Sequence, residues 1–352
     1  MQVDVLIVGQ GICGTMLSWF LQKEGVSIAV VDDNAPGASS KVAAGIMNPV
    51  TGRRYVTTWR IEDVMPFARR TYESMGEALD ARLLQQKSVI DFFPSPQMRN
   101  AFVERVKEDD TYLHPYPDHN GFNPYFHYEF GCGEIRPAYM IHFATLLPLF
   151  RTRLSDKGQL VADTFSLADL ELGLDHIRYG DITAGRLVFC DGAAGINNPW
   201  FSLLPFAANK GEALIIHCED LPGGHIFKRG LTLAPLPEPG TYWVGSSYEW
   251  EFANDQPSEA FYNRTTAHLQ AWLKKPFRVV DHMAAIRPAT LERRPFVGFH
   301  PQFPRIGILN GMGTKGASLA PFFAHQLASH IVHGFPVADE VSVHRFSRIL
   351  SK

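Results

Sequence analysis

The sequence predicts an α/β protein, with a Rossmann-like dinucleotide-binding domain and a second domain built around a sheet. Three observations carry this. Residues 3–33, VDVLIVGQGICGTMLSWFLQKEGVSIAVVDD, run strand, glycine turn, amphipathic helix, strand, acid. A second glycine-rich turn before a helix lies near the end, in ILNGMGTKGASLAPFFAHQLASHIV, residues 308–332. Between these, residues 205–283 include stretches that alternate like a sheet, such as TYWVGSSYEW, Thr241 to Trp250. A chain of 352 residues is too long for one small core and suits two domains.

Each element has a physical reason. Val3, Val5, Leu6, Ile7 and Val8 form a nearly continuous apolar run, as expected of a parallel strand buried on both faces. Gly9, Gly11 and Gly14 follow as G-x-G-x-x-G. Gly9 permits the tight turn, Gly11 leaves the backbone open to a pyrophosphate, and Gly14 lets helix and strand pack closely. Ile12 and Cys13 open the helix inside this motif. Its apolar face is Cys13, Met16, Leu17, Phe20 and Leu21, its polar face Gln22, Lys23 and Glu24, and Gly25 ends it. The free N–H groups at the helix start favour a bound anion. The next strand, Ile28 to Val31, ends at Asp32 and Asp33. An acid there accepts the ribose hydroxyls of the adenosine half and repels a 2′-phosphate. Asp32 directly follows the strand; Asp33 is the alternative. The motif alone does not choose between NAD and FAD.

The residues downstream choose. Asn34 to Arg54, NAPGASSKVAAGIMNPVTGRR, is rich in small and hydroxylated residues where an NAD domain normally continues with helix and strand. From here the chain resembles the D-amino-acid oxidase, glycine oxidase and sarcosine oxidase group of flavoproteins. The matching segments are GQGICG with Asp32, ASSKVAAGIMNP, RLVFCDGAAG, IRPATLERRPFVGFHP and NGMGTKGASLAP, in the family's order over almost the whole chain. The resemblance implies FAD as cofactor. It implies Ser39 and Ser40 at the pyrophosphate or ribityl chain and Ala43, Ala44 and Gly45 near the isoalloxazine. Asp191 and Gly192 lie where the chain returns beside the dinucleotide. Lys315, Gly316 and Ala317 would lie at the pyrimidine edge, and Gly311, Gly313 and Thr314 are cofactor-binding candidates in a turn that, with Gly316, admits a ligand or a close backbone approach. For Lys315 the alternative is an ammonium that merely reaches solvent. The resemblance also implies a discontinuous FAD domain, 1–82, 129–204 and 284–352. A discontinuous α+β substrate domain with a large mixed or antiparallel sheet, 83–128 and 205–283, roofs the flavin. No cysteine stands in the C-terminal flavin motif, so FAD is expected to be non-covalent.

On the substrate side the resemblance places Arg287 against a substrate carboxylate, which its planar fork can pair at both oxygens. Tyr242 and Tyr248 are candidates for a second carboxylate ligand. The implied reaction is oxidation of a small amino or imino acid by hydride transfer from Cα to flavin N5, with O2 or another acceptor taking the electrons. Arg53 and Arg54 depart from the glycine oxidase pattern; they are a solvated basic turn, or one of them favours a substrate with a second acidic group. Two other readings stay open: oxidation of a carboxymethylamino group on a modified tRNA nucleoside, and a flavin-binding protein without turnover.

Bulk properties narrow the classes. Lys and Arg total 33 against 36 Asp and Glu, a net charge of −3, so a nucleic-acid footprint is not expected. The apolar runs are short, so no membrane span is expected, and the immediate strand is read as leaving no room for a signal peptide. The four cysteines, Cys13, Cys132, Cys190 and Cys218, are scattered without a C-x-x-C pair, as in a reduced cytoplasmic protein without a zinc site. His325, His330 and His333 on the last long helix lack metal-ligand spacing.

Overall fold

A computed structural model describes residues 1–118 and 120–351. The chain divides into two compact units. One is formed by residues 1–41, 143–209 and 286–352, the other by 42–142 and 210–285. Residues 42–82 and 129–142, expected with the dinucleotide domain, therefore cluster with the second unit. Residues 205–209 cluster with the first, and residues 284–285 with the second.

The first unit holds the eight-stranded sheet. Strand Gln2–Val8 pairs in parallel with Ile28–Val31 on one side and Ile182–Phe189 on the other. Ile306–Asn310 joins in parallel beyond Leu187–Phe189. Ile177–Tyr179 pairs antiparallel with Ile182–Phe189, and Phe296–Phe299 antiparallel with Ile306–Asn310. Because Gln2–Val8, Ile28–Val31, Ile182–Phe189 and Ile306–Asn310 run one way, as does Leu160–Val161 beside Ile28–Val31, the residues that follow these four lie at one edge of the sheet: Gly9, Asp32, the Cys190–Asp191 pair and Gly311. In open α/β sheets that carboxyl edge is where ligands bind.

The helix Ile12–Lys23 packs against the long helix Gly316–His333. Every residue from Ile12 to Leu21 is buried, so the polar face expected of an amphipathic helix shrinks to its last turn. Leu6, Val8, Leu187, Phe189, Phe201, Phe296 and Ile308 are among the buried residues of one core on this sheet. No described helix is long and apolar enough to cross a membrane.

The second unit is built on a nine-stranded, mostly antiparallel sheet. Leu84–Phe92 pairs antiparallel with Cys132–Ile141 and parallel with Ile226–Arg229. Asn209–His217 pairs antiparallel with Thr241–Gly245. Alternation sorts the side chains into two cores. Phe92, Phe126, Leu214, Tyr242, Val244 and Trp272 pack in one, and Val50, Tyr55, Phe102, Ala213 and Trp243 in the other. All five residues of Thr241–Gly245 are buried, so this strand lacks the solvent face its alternating sequence suggests.

Candidate functional site

The glycine turn makes close backbone approaches that side chains would block. Gly9 has φ +95°, and a Cβ there would lie 2.6 Å from the Cys190 carbonyl oxygen. A Cβ on Gly14 would come within 1.8 Å of the Gly9 oxygen, so only glycine lets the helix sit this close to the strand. A Cβ on Gly11 would meet only Ser40 Oγ, at 3.2 Å. Gly11 is the N-cap residue and offers no side chain to the first-turn N–H groups. Ser40 Oγ accepts from the Ile12 N–H at 3.0 Å, while Ser39 begins the same short helix, Ser39–Val42.

The two acids separate clearly. Asp32 Oδ2 accepts from the Gln10 N–H at 2.8 Å, and Oδ1 accepts from the Asn34 N–H at 2.9 Å and from Arg151 Nη1 at 2.5 Å. Arg151 Nη2 also donates to the Asp32 carbonyl. Asp33 is exposed; it accepts from the Ala35 N–H and the Thr164 hydroxyl, closing a local turn. Lys41 Nζ donates to the carbonyls of Asn34 and Ala35 and to Asn34 Oδ1. Burial lowers the Lys41 pKa, against the pull of Asp32.

Further along the carboxyl edge, Asp191 accepts from the side-chain amides of Asn198 and Asn310, at 3.2 and 2.9 Å. Asn310 also donates to the Gly192 carbonyl, tying the turn after Phe189 to the end of Ile306–Asn310. Burial pushes the Asp191 carboxyl up to about 6, against these hydrogen bonds. Gly311 has φ +80°, and a Cβ there would strike Thr290 Cγ2 at 2.7 Å. Gly313 has φ +56° and donates its N–H to the Pro288 carbonyl at 3.2 Å. A 3₁₀ turn, Gly313–Lys315, with Thr314 exposed, leads into the helix beginning at Gly316, with Ala317 buried in its first turn. Lys315 is only partly exposed, and its pKa is lowered by burial and then by Arg293 and Arg294.

Arg287 ends the strand Arg278–Arg287. Its Nη1 donates to Asn209 Oδ1 at 2.8 Å, and Asn209 is completely buried. The Ala289 N–H bonds back to the Arg287 carbonyl, and the Ala207 N–H bonds to the Ala289 carbonyl. With the Gly313–Pro288 bond, these hold Arg287 and the second glycine turn as one piece of backbone.

Tyr242 is corrected by the structure. It is 1% exposed in the aromatic core, and its hydroxyl donates to the Leu221 carbonyl at 2.6 Å, so it has no hydroxyl to give a substrate. Tyr248 lies beyond the end of Thr241–Gly245, half-exposed and edge-on to Trp250. Ala43, Ala44 and Gly45 belong to the second unit, where a Cβ on Gly45 would sit 2.0 Å from the Ile141 oxygen. Arg53 and Arg54 are exposed in the turn of the hairpin Val50–Thr51 and Val56–Thr57. Arg151, Asn198, Asn209 and Asn310 were not marked by the sequence. Their partners lie between 7 and 119 residues away; Asn310 opens the segment NGMGTKGASLAP, while no local motif announces the other three.

The family model for FAD dependent oxidoreductases matches residues 4–330. Among solved structures, the chain is similar to glycine oxidase from Bacillus cereus, at 15% identity and TM-score 0.80, covering 95% of this chain and 96% of that one. It is similar to iminodiacetate oxidase from Chelativorans sp. BNC1, at 19% identity and TM-score 0.74, covering 98% of each. It is also similar to L-proline dehydrogenase from P. horikoshii, at 14% identity and TM-score 0.76, covering 99% of this chain and 98% of that one. At these identities the likeness is one of fold. The residues present suit FAD. The glycine turn is bare of side chains, the helix behind it begins without a side-chain cap from its N-cap residue, and the acid after the second strand is held in place.

Proposed function

The chain belongs to the FAD-dependent oxidoreductase family, and on that premise we propose that it oxidises a small amino or imino acid at its Cα–N bond. The observation that carries this is Arg287, fixed by Asn209 and by backbone bonds to the second glycine turn. An arginine fork suits a carboxylate, since two parallel N–H donors can meet its two oxygens. Glycine, iminodiacetate and L-proline, which name the similar proteins, all carry a carboxylate beside the carbon that bears nitrogen.

FAD, when bound, would supply the acceptor for the hydride that leaves Cα, which carries both electrons of the oxidation. The protein's part is mostly positional. Arg287 holds the carboxylate and so aims the Cα–H. With the amine bound neutral, loss of hydride leaves a C=N bond that water hydrolyses, and no strong side-chain base is needed. Fixing the reacting carbon in this way accounts for much of the rate available to such an enzyme. With FAD bound, the open backbone at Gly11 and the helix start would receive the pyrophosphate in the turn that Gly9 and Gly14 shape, Asp32 would hold the adenosine ribose, and Ser39 and Ser40 would reach the pyrophosphate or ribityl chain. Lys315 and the helix start at Gly316 supply positive charge to the pyrimidine edge of the isoalloxazine.

The test is anaerobic absorbance of the yellow holoprotein against glycine, sarcosine, iminodiacetate, L-proline and single D-amino acids, including D-aspartate and D-glutamate. Bleaching of the flavin band by at least one member is expected. Re-admitting air then separates an oxidase from a dehydrogenase. A yellow protein that none of these bleaches contradicts the proposal.

A further inference from the structure

We propose that Asn209 is a positioning residue that aims Arg287 at the substrate carboxylate through a neutral contact; this rests on the carboxylate reading of Arg287 given above. Three observations combine. Asn209 is 0% exposed, and its Oδ1 accepts from Arg287 Nη1 at 2.8 Å. Its Nδ2 is buried with no hydrogen-bond partner among the described residues. The backbone on either side of Arg287 is tied down through Ala289, Pro288 and Gly313.

The chemistry follows from what each group can do. A guanidinium has only donors, so the amide must turn its oxygen toward it. That contact fixes which way the amide faces and leaves Nδ2 without a partner. An unpaired buried N–H opposes folding. An apolar residue would fill the same space without that cost, so space-filling does not explain an asparagine here. With the backbone already held, what Asn209 adds is the direction of the guanidinium plane.

The choice of acceptor matters as much as its position. An aspartate in the same place would hold the arginine more tightly. It would also set a negative charge against the group that must attract a carboxylate, and the two anions would compete for one cation. A neutral amide orients without competing.

Acetate is the probe, because it carries the carboxylate and nothing to oxidise. It is titrated into oxidised holoprotein at pH 8, following the change in the flavin absorption band. Saturable binding by wild type is expected. Asn209→Asp weakens it by about tenfold or more, and Asn209→Ser, which keeps a neutral oxygen, weakens it less. Bound FAD per chain stays at the wild-type level in both. With an amino acid that reduces the flavin, Asn209→Asp raises the concentration needed for half-maximal reduction more than it lowers the limiting rate.

Equal acetate affinity in wild type and Asn209→Asp overturns the proposal. Should Asn209→Asp not fold, the comparison passes to Asn209→Ser and Asn209→Ala. The alanine variant must then bind acetate more weakly than the serine variant, and equal affinities overturn the proposal. A wild type that does not bind acetate, or binds it as tightly after Arg287→Ala, overturns the carboxylate reading beneath it instead.

Discussion

Asp191 shows how a single residue is shaped by the carboxyl edge of the sheet. It follows the strand Ile182–Phe189 by two positions, and its Cα lies 3.3 Å from where a Cβ on Gly9 would stand. Burial raises its pKa from 3.8 to about 6, and the donors on Asn198 and Asn310 only partly offset this. The unfolded chain loses this proton near pH 4, the folded one near pH 6. Below both values neither form is ionised and nothing is lost. As pH rises from about 4 through 6, the folded state must ionise a carboxyl it prefers to keep neutral, so stability falls, and above 6 the whole penalty is present. Asp191→Asn cannot ionise, though its amide faces two donors and carries a fixed cost at every pH. The difference in melting temperature, variant minus wild type, should therefore rise by about 1–3 °C between pH 5 and pH 8. Thermal melts at the two pH values check it, and an unchanged difference would contradict the assignment. At this scale the sequence was legible where a residue's position is set by its neighbours in the chain, as with Asp32 directly after its strand. It was silent about Arg151 and Asn209, whose partners come from distant segments.

Among elements, the strand–turn–helix at the N-terminus is legible because its constraints are local. The clearance around its glycines makes a sharp distinction. Gly14 faces a backbone oxygen at 1.8 Å, which no rotamer change can move. Gly11 faces the end of a serine side chain at 3.2 Å, and its φ of −68° is open to any residue. Gly14→Ala should therefore yield little soluble protein. Gly11→Ala should fold, yet bind FAD about tenfold or more weakly, because its methyl group narrows the cradle. Soluble yield and FAD affinity by flavin fluorescence test both. A yellow Gly14→Ala protein of wild-type affinity would contradict the packing argument. The strand Thr241–Gly245 shows the opposite case. Alternation marks a strand but not which face meets which core when both are buried. The resemblance made Tyr242 a ligand candidate, while in the structure its hydroxyl is bonded to Leu221 and the neighbouring Trp243 Nε1 bonds to the Val42 carbonyl.

Over the whole molecule, the chain passes between its two units after residues 41, 142, 209 and 285. Alternation marked a sheet within residues 205–283 but not these boundaries, because unit membership is set by long-range pairing. The strand Ile46–Met47, for example, pairs with Met140 and Tyr139, more than ninety residues on. The family, the fold and the FAD cradle converge on an oxidoreductase, and Arg287 carries the proposal for what it oxidises. The most direct measurement takes an amino acid that bleaches the flavin and compares its rate of anaerobic flavin reduction with that of its methyl ester, in wild type and in Arg287→Ala. The account predicts that wild type prefers the free acid by about a hundredfold, roughly the worth of a charge-assisted pair, and that Arg287→Ala loses most of that preference. Equal rates for acid and ester in wild type, or an undiminished preference in Arg287→Ala, would contradict it.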